Sequence, residues 1–167
     1  MFSIQDLSSV YSVRKLTQKD VSDILKLAKT NPYYYECVPP AVTEKSILKD
    51  MKELPPNTTM KDKFYVGFYK GDKLIAVLDL ILNYPNANTF FIGFFMMHKK
   101  YQGKGIGSQI IQEIISHMPI QYTEVCLGVA QKNEISQKFW IKNGFELTGK
   151  KYRQPLYTVL IMNRKLG

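Results

Sequence analysis

The 167-residue chain is poor in cysteine: it has two, Cys37 and Cys126, far apart in sequence. Two thiols cannot build a zinc quartet or a disulfide framework, so a reduced, cytoplasmic protein without a metal centre is expected. Long apolar runs are missing as well. No window holds the roughly 18 apolar residues of a membrane span. The opening MFSIQDLSSVYSVRK lacks the basic segment and sustained apolar stretch of a secretory signal. Exported and membrane classes are therefore not expected. Repeats, low-complexity tracts and linkers are absent, which predicts one domain over residues 1–167. Histidine is scarce too. His117 falls in the last turn of a predicted helix, where a cation complements the dipole, and His98 reads as part of a surface turn. Neither is assigned to catalysis.

Acidic residues are outnumbered, with 14 Asp and Glu against 23 Lys and Arg for a net charge of +9. Such an excess speeds encounter with anions: nucleotide cofactors, acidic substrates or nucleic acid. The basic residues are scattered, however, apart from Lys99, Lys100 and Lys104. No arginine-rich run or aromatic RNA-binding signature occurs, so nucleic acid is not the favoured partner.

What the chain does have is a clear alternation of periods. Residues 11–16 alternate as a short strand. Thr17 and Asp20 then form a capping-box start for a helix carrying Val21, Ile24, Leu25 and Ala28, which should stop at Asn31-Pro32. Residues 33–40 read as an aromatic loop. Thr43 opens a second helix with Ile47, Leu48, Met51 and Leu54 inward, ended by Pro55-Pro56. Strands follow at 64–69, 74–82 and 90–97, joined by turns at 70–72 and 84–88. A strongly amphipathic helix bears Ile106, Ile110, Ile111, Ile114 and Ile115. Next come a buried strand at 125–129, a helix from Glu134 to Asn143 stopped by Gly144, and two closing strands near 145–150 and 157–162. The pattern predicts an α/β fold: a single mixed, mostly antiparallel sheet of about seven strands flanked by about four helices.

The segment richest in chemistry is Tyr101-Gln102-Gly103-Lys104-Gly105-Ile106-Gly107-Ser108, between a strand and a helix. Glycines allow a tight turn and close approach of backbone N–H groups to a ligand. The helix start adds unpaired donors and a positive dipole end, Lys104 a mobile charge and Ser108 a hydroxyl. All of these favour phosphate. A Walker loop would need Ser or Thr directly after the lysine, and a dinucleotide fingerprint would need its third glycine one residue later.

Gln102-x-x-Gly105-x-Gly107 resembles the Q/R-x-x-G-x-G/A pyrophosphate loop of the GCN5-related N-acetyltransferases (GNAT). The resemblance spans most of the chain. Residues 13–20 look like the family's opening strand and helix start. Asn133-x-x-Ser136-x-x-Phe139-Trp140-x-x-x-Gly144-Phe145 resembles its later signature. The resemblance implies the GNAT fold and direct transfer of acetyl from acetyl-CoA to an amine. Backbone amides of Gly103, Lys104, Gly105, Ile106, Gly107 and Ser108 would hold the pyrophosphate of coenzyme A. The strand end Phe94-Phe95-Met96-Met97 would splay from Leu127–Val129 to admit pantetheine. An amide near Phe95 or Met97 would polarise the thioester carbonyl, and Asn133 would touch the pantetheine arm, cap its helix, or do both. Phe139 and Trp140 would adjoin the cofactor.

The family usually has a tyrosine where Trp140 stands, and indole N–H is a donor without useful acidity. Tyr152 and Tyr157 are the alternative acids. For the base, Glu36 ranks first, then Asp79 inside an apolar strand, then Glu124. Tyr33, Tyr34 and Tyr35, with Pro39 and Pro40, would line an acceptor pocket suited to a small amine or peptide N-terminus, or else simply pack between helices. Two alternatives stand beside this: acetylation of an RNA-borne amine such as aminoacyl-tRNA, and an acyl-CoA-binding regulator with little turnover. The family also implies a monomer or a homodimer formed through the C-terminal hairpin.

Overall fold

A computed structural model describes residues 2–167. Seven strands form one sheet: β1 (Ser12–Lys15), β2 (Lys63–Lys70), β3 (Lys73–Leu82), β4 (Thr89–Met97), β5 (Glu124–Ala130), β6 (Glu146–Arg153) and β7 (Thr158–Lys165). Their order across the sheet is β1-β2-β3-β4-β5-β7-β6. Every neighbouring pair is antiparallel except β4 and β5, the two strands joined by a helical crossover. Five helices flank it: α1 (Val21–Lys29), α2 (Pro32–Cys37), α3 (Glu44–Lys52), α4 (Ile106–His117) and α5 (Glu134–Lys142).

The capping box at Thr17 is present: the Asp20 carboxylate accepts the Thr17 N–H at 2.8 Å and pairs with Arg14 at 3.0 Å. It opens a short 3-10 turn that runs on into α1. Thr43 and Ser46 cap α3 reciprocally in the same way. The aromatic stretch expected as a loop is instead the short helix α2, which brings the helices from the four expected to five. Pro32 cannot continue α1, yet its fixed φ suits a first helical position, so the chain breaks at Asn31 and starts again in a new direction. Helix α3 ends at Lys52, before the prolines; Ile47 is buried, while Leu48 is exposed.

The helices cover both faces of the sheet. Ile110, Ile111 and Ile114 of α4 pack with Leu78, Leu80, Phe90 and Leu127 on one face. Ile24 and Leu27 of α1 and Ile47 of α3 pack with Tyr65, Val77 and Met96 on the other. β6 is exposed along its whole length at the sheet edge, where a register shift and Gly149 at φ +87° interrupt it.

One irregularity shapes the middle of the sheet. In the β3–β4 ladder Asp79 faces Phe94 and Leu80 faces Ile92, so Gly93 has no partner and forms a bulge. β4 and β5 pair only from Thr89/Glu124 to Ile92/Leu127. Beyond the bulge they part. A Cβ on residue 93 would lie 3.0 Å from the Asp79 carboxylate, so a larger residue there crowds the Lys63–Asp79 pair. Replacing Gly93 by Val is expected to cost about 1–3 kcal/mol through overpacking, read by urea unfolding. Ile120→Ala, at a residue 98% exposed, should change stability by less than about 0.5 kcal/mol.

Candidate active site

Where β4 and β5 part lies a cavity of about 390 Å³, bounded by α1, α2, the end of β4 and α5. Its backbone wall follows from strand alternation. His98 donates its N–H to Ile75 of β3, so Met96 and Phe94 also face β3, whereas the backbone groups of Phe95 and Met97 face the gap. The Met97 carbonyl accepts from Asn31 Nδ2 at 2.9 Å and Gln102 Nε2 at 2.8 Å; Gln102 Nε2 also lies 2.7 Å from Asn31 Oδ1. Gln102 thus ties the glycine loop to the strand end and does not face the loop's amides. Asn31 and Thr30 (whose hydroxyl accepts the Lys99 N–H at 3.0 Å) belong to this arrangement. In the sequence Asn31 shows only as a residue before proline.

The loop itself is a row of free donors. Gly103 and Gly105 take φ of +77° and +81°, conformations that favour glycine, and open space surrounds the position a Cβ would take at each. Gly107 serves packing: a Cβ there would stand 3.1 Å from Met97 Sδ and 3.2 Å from Phe139. Among the described residues, none of the backbone N–H groups from Gly103 to Ser108 makes a turn, loop or cap hydrogen bond. Ile106 is the first residue of α4, so these donors and the positive helix end coincide. Lys104 is exposed beside them. The Ser108 oxygen accepts from Asn143 Nδ2 at 3.1 Å, which leaves its proton available.

Aromatic rings form the inner wall. Phe95 stacks with Phe139 at 6.2 Å, and Trp140 meets Phe139 and Phe145 edge-on at 4.9 and 5.2 Å. Trp140 is buried and borders the cavity. Asn133 Oδ1 accepts the Ser136 N–H at 3.0 Å and so caps α5, while the side chain, 4% exposed, also borders the cavity. Tyr33 reaches across from α2 to the Lys132 carbonyl at 3.3 Å.

A second, larger chamber of about 810 Å³ lies on the α1–α3 face. Tyr34 borders both spaces and meets Phe94 edge-on at 5.7 Å. The chamber walls include Tyr35 from α2, Asp50 and Glu53 from α3 and its end, Tyr65 and Asp79 from the sheet, and Tyr157 from the turn before β7. Burial pushes the phenols of Tyr34 and Tyr65 well above their ordinary range and that of Tyr35 up to about 12, so all three keep their protons at neutral pH. The Asp50 carboxyl opens onto the chamber and is pushed up to about 6, chiefly by the apolar groups crowding it and then by Glu53 and Asp79.

The expected bases and acids fare differently. Asp79 lies on the chamber floor, held by the Lys63 ammonium at 2.8 and 3.0 Å; burial pushes its carboxyl up and Lys63 offsets part of that. Glu36 borders neither space, because α2 turns Tyr34 and Cys37 inward and Glu36 away from both. Tyr152 is 56% exposed on β6, two strands beyond β5, and also borders neither space; Tyr157 of the same hairpin does. Glu124 pairs with Thr89 at the closed end of β4–β5, bound by Asn163 and Lys165. Asp50, Glu53 and Asn31 were not anticipated. Asp50 follows Ile47 by about one helical turn, the only sign in the sequence that it shares the inner flank of α3.

Residues 23–145 match the model of the acetyltransferase (GNAT) family. No curated protein matches the chain in sequence. Among solved structures, an acetyltransferase from Thermus thermophilus superposes with a TM-score of 0.74 at 18% identity, over 94% of this chain and 97% of that one. The PaiA N-acetyltransferase of Thermoplasma acidophilum, in complex with coenzyme A, gives 0.66 at 19% identity over 93% and 98%. A chimera of the spermidine N-acetyltransferase SpeG from Vibrio cholerae with hSSAT gives 0.68 at 20% over 94% and 96%. At these identities the likeness is one of fold.

The buried Lys63–Asp79 pair makes a testable stability element. Lys63→Met leaves the Asp79 carboxylate buried without a partner, at a cost of about 3–5 kcal/mol at neutral pH. With the folded pKa raised above an unfolded value of roughly 3.9, the protonated form folds best. The deficit should therefore be smallest at about pH 4 and grow as pH rises through the folded pKa. Urea unfolding at both ends of that range checks this; an equal deficit throughout would exclude the ionic explanation.

Proposed function

The chain belongs to the acetyltransferase (GNAT) family, and from that premise we propose a cytoplasmic N-acetyltransferase that moves acetyl from acetyl-CoA directly to an amine held in the tyrosine-lined chamber. The observation that carries this reading is the parting of β4 and β5 beside a row of unoccupied backbone donors. Coenzyme A fits what the residues offer. A diphosphate matches the N–H row from Gly103 to Ser108 with Lys104 at its side. A pantetheine arm matches an open strand edge, where Phe95 and Met97 present backbone groups and Asn133 an amide. Bound acetyl-CoA supplies the activated acyl group.

The chain's own groups do the rest. The Phe95 amide, fixed in the strand, donates to the carbonyl oxygen where negative charge develops. Phe95, Phe139 and Trp140 exclude water from the thioester. Trp140 cannot return a proton to sulfur. Tyr34 borders both spaces. Burial makes its phenol a weaker acid than a free one, so its role is that of a relay that gives its proton to sulfur as it takes up the proton leaving the amine. The acceptor is a small-molecule or peptide amine with one end among Tyr34, Tyr35 and Tyr157. On the chamber wall the carboxyl groups of Asp50 and Glu53 outnumber the single ammonium of Lys49, which favours a cationic acceptor over a phosphate-bearing one such as aminoacyl-tRNA. The buried indole at position 140 is the one feature that favours the second reading, an acyl-CoA-binding regulator.

Trp140 is the single tryptophan and reports on the cavity it borders. Titrating acetyl-CoA and CoA, with ATP and NAD as controls, should give a saturable fluorescence change with the CoA forms alone. Gly105→Asp places a carboxylate among the free amides and should weaken binding at least about tenfold, or roughly 1.4 kcal/mol. No response to either CoA form would overturn both the enzyme and the regulator readings. Binding without CoA release on any amine would favour the regulator.

A further inference from the structure

An aliphatic amine reaches an enzyme at neutral pH as an ammonium ion, since its reference pKa is roughly 10. Before its lone pair can attack, a proton has to leave. Four carboxylates come into question on this face of the molecule. Glu36 borders neither space, and Asp79 already holds the Lys63 ammonium with both oxygens. Glu53 borders the chamber but not the small cavity behind it. Asp50 remains.

Three observations single it out. Its carboxylate, like that of Glu53 and unlike that of Asp79, takes part in no ion pair among the described residues and lines the chamber. It borders both the large chamber and a small cavity of about 40 Å³ between α3, α1 and the sheet. The rings around that small cavity include Tyr35, Tyr65 and Phe94, and Phe94 immediately precedes the residue whose amide faces the gap.

Resting on the acetyltransferase reading above, we propose that Asp50 binds the acceptor's ammonium group and takes its proton. One proton passes from R–NH3+ to the Asp50 carboxylate, and the freed lone pair forms the C–N bond as the C–S bond breaks. The electron pair of that bond leaves on sulfur. The proton lost from nitrogen as the amide forms ends on the sulfur by way of Tyr34, so charge and atoms balance. Asp50 then releases its proton to water in the chamber.

The groups facing Asp50 set how it titrates. Lys49 and Glu53 lie on α3 and at its end, Tyr34 and Tyr35 face it from α2, Lys63 and Tyr65 from β2, Asp79 from β3 and Tyr157 from the turn before β7. Asp50 as a whole residue is exposed on α3. The apolar groups beside its carboxyl and the two other carboxylates nonetheless outweigh the two lysines, which leaves it a stronger base than a free aspartate and still ionised at pH 7.

The test uses the full chain, with CoA release measured on spermidine, tyramine and a peptide with a free N-terminus, and acetyl-CoA binding followed through Trp140. With the best of these acceptors, Asp50→Asn should lower kcat by about 10²–10³-fold while acetyl-CoA binding and thermal midpoint stay as in the wild type. The wild-type profile of log kcat/KM should steepen below about pH 6, where Asp50 gains a proton; Asp50→Asn should remove that break and Asp50→Glu restore it. A variant that keeps the break, or that alters KM alone, would overturn the assignment of Asp50 and leave the acetyltransferase reading standing. A wild-type chain that binds acetyl-CoA but releases no CoA on any of the three acceptors would overturn both.

Discussion

The structure turns on a single extra residue in β4. A bulge at Gly93 ends the pairing of β4 with β5 and turns the far half of β4 into a strand edge inside the protein. An open edge normally attracts another chain. Here it is walled by α2 and α5, so only a narrow ligand with backbone-like polar groups can pair with it. Beside the bulge stands the Asp79 carboxylate, which a side chain at 93 would crowd. Asp79 is kept in place by buried Lys63. One buried ion pair, one glycine and one ladder defect therefore belong to the same device.

Charge is distributed with the same economy. The chain as a whole is strongly basic, and its glycine loop adds Lys104 and a helix N-terminus, which suits a polyanionic cofactor. The chamber on the opposite side of Tyr34 carries Asp50, Glu53, Asp79 and several phenols, with Lys49 as the one cation on its wall among the described residues. The two spaces open on two sides of the protein and share Tyr34 as a wall. The burial that raises the phenol pKa values also keeps these rings neutral, so the charge of the chamber wall comes from its carboxylates and Lys49.

Much of the architecture was legible in residue order. The seven strands, the capping boxes at Thr17 and Thr43, the turn at Gly71 and the helix stop at Gly144 are local events set by periodicity and by residues with strong backbone preferences. Helix α2 was not legible, since a run of aromatics has no clear period over six residues and proline signals a stop more loudly than a start. The parting of the strands could be expected only through the family resemblance, because the bulge consists of a mismatch between two strands and neither one records it.

The sequence by itself determined the glycine-rich anion loop and the asparagine cap of α5, because both act through backbone groups within a few residues of the motif. It also determined the absence of an acidic hydroxyl at Trp140. Tertiary structure alone decided which carboxylate faces the chamber. Glu36 and Asp50 are both ordinary acids on helices next to apolar residues. One is turned away by the break at Asn31, and the other is turned toward the chamber because Ile47, about one helical turn earlier, is buried against the sheet. The same distinction separates Tyr152 from Tyr157, five residues apart on one hairpin. Facing direction is set by long-range packing, which the spacing of Asp50 from Ile47 reflects only once Ile47 is known to be buried.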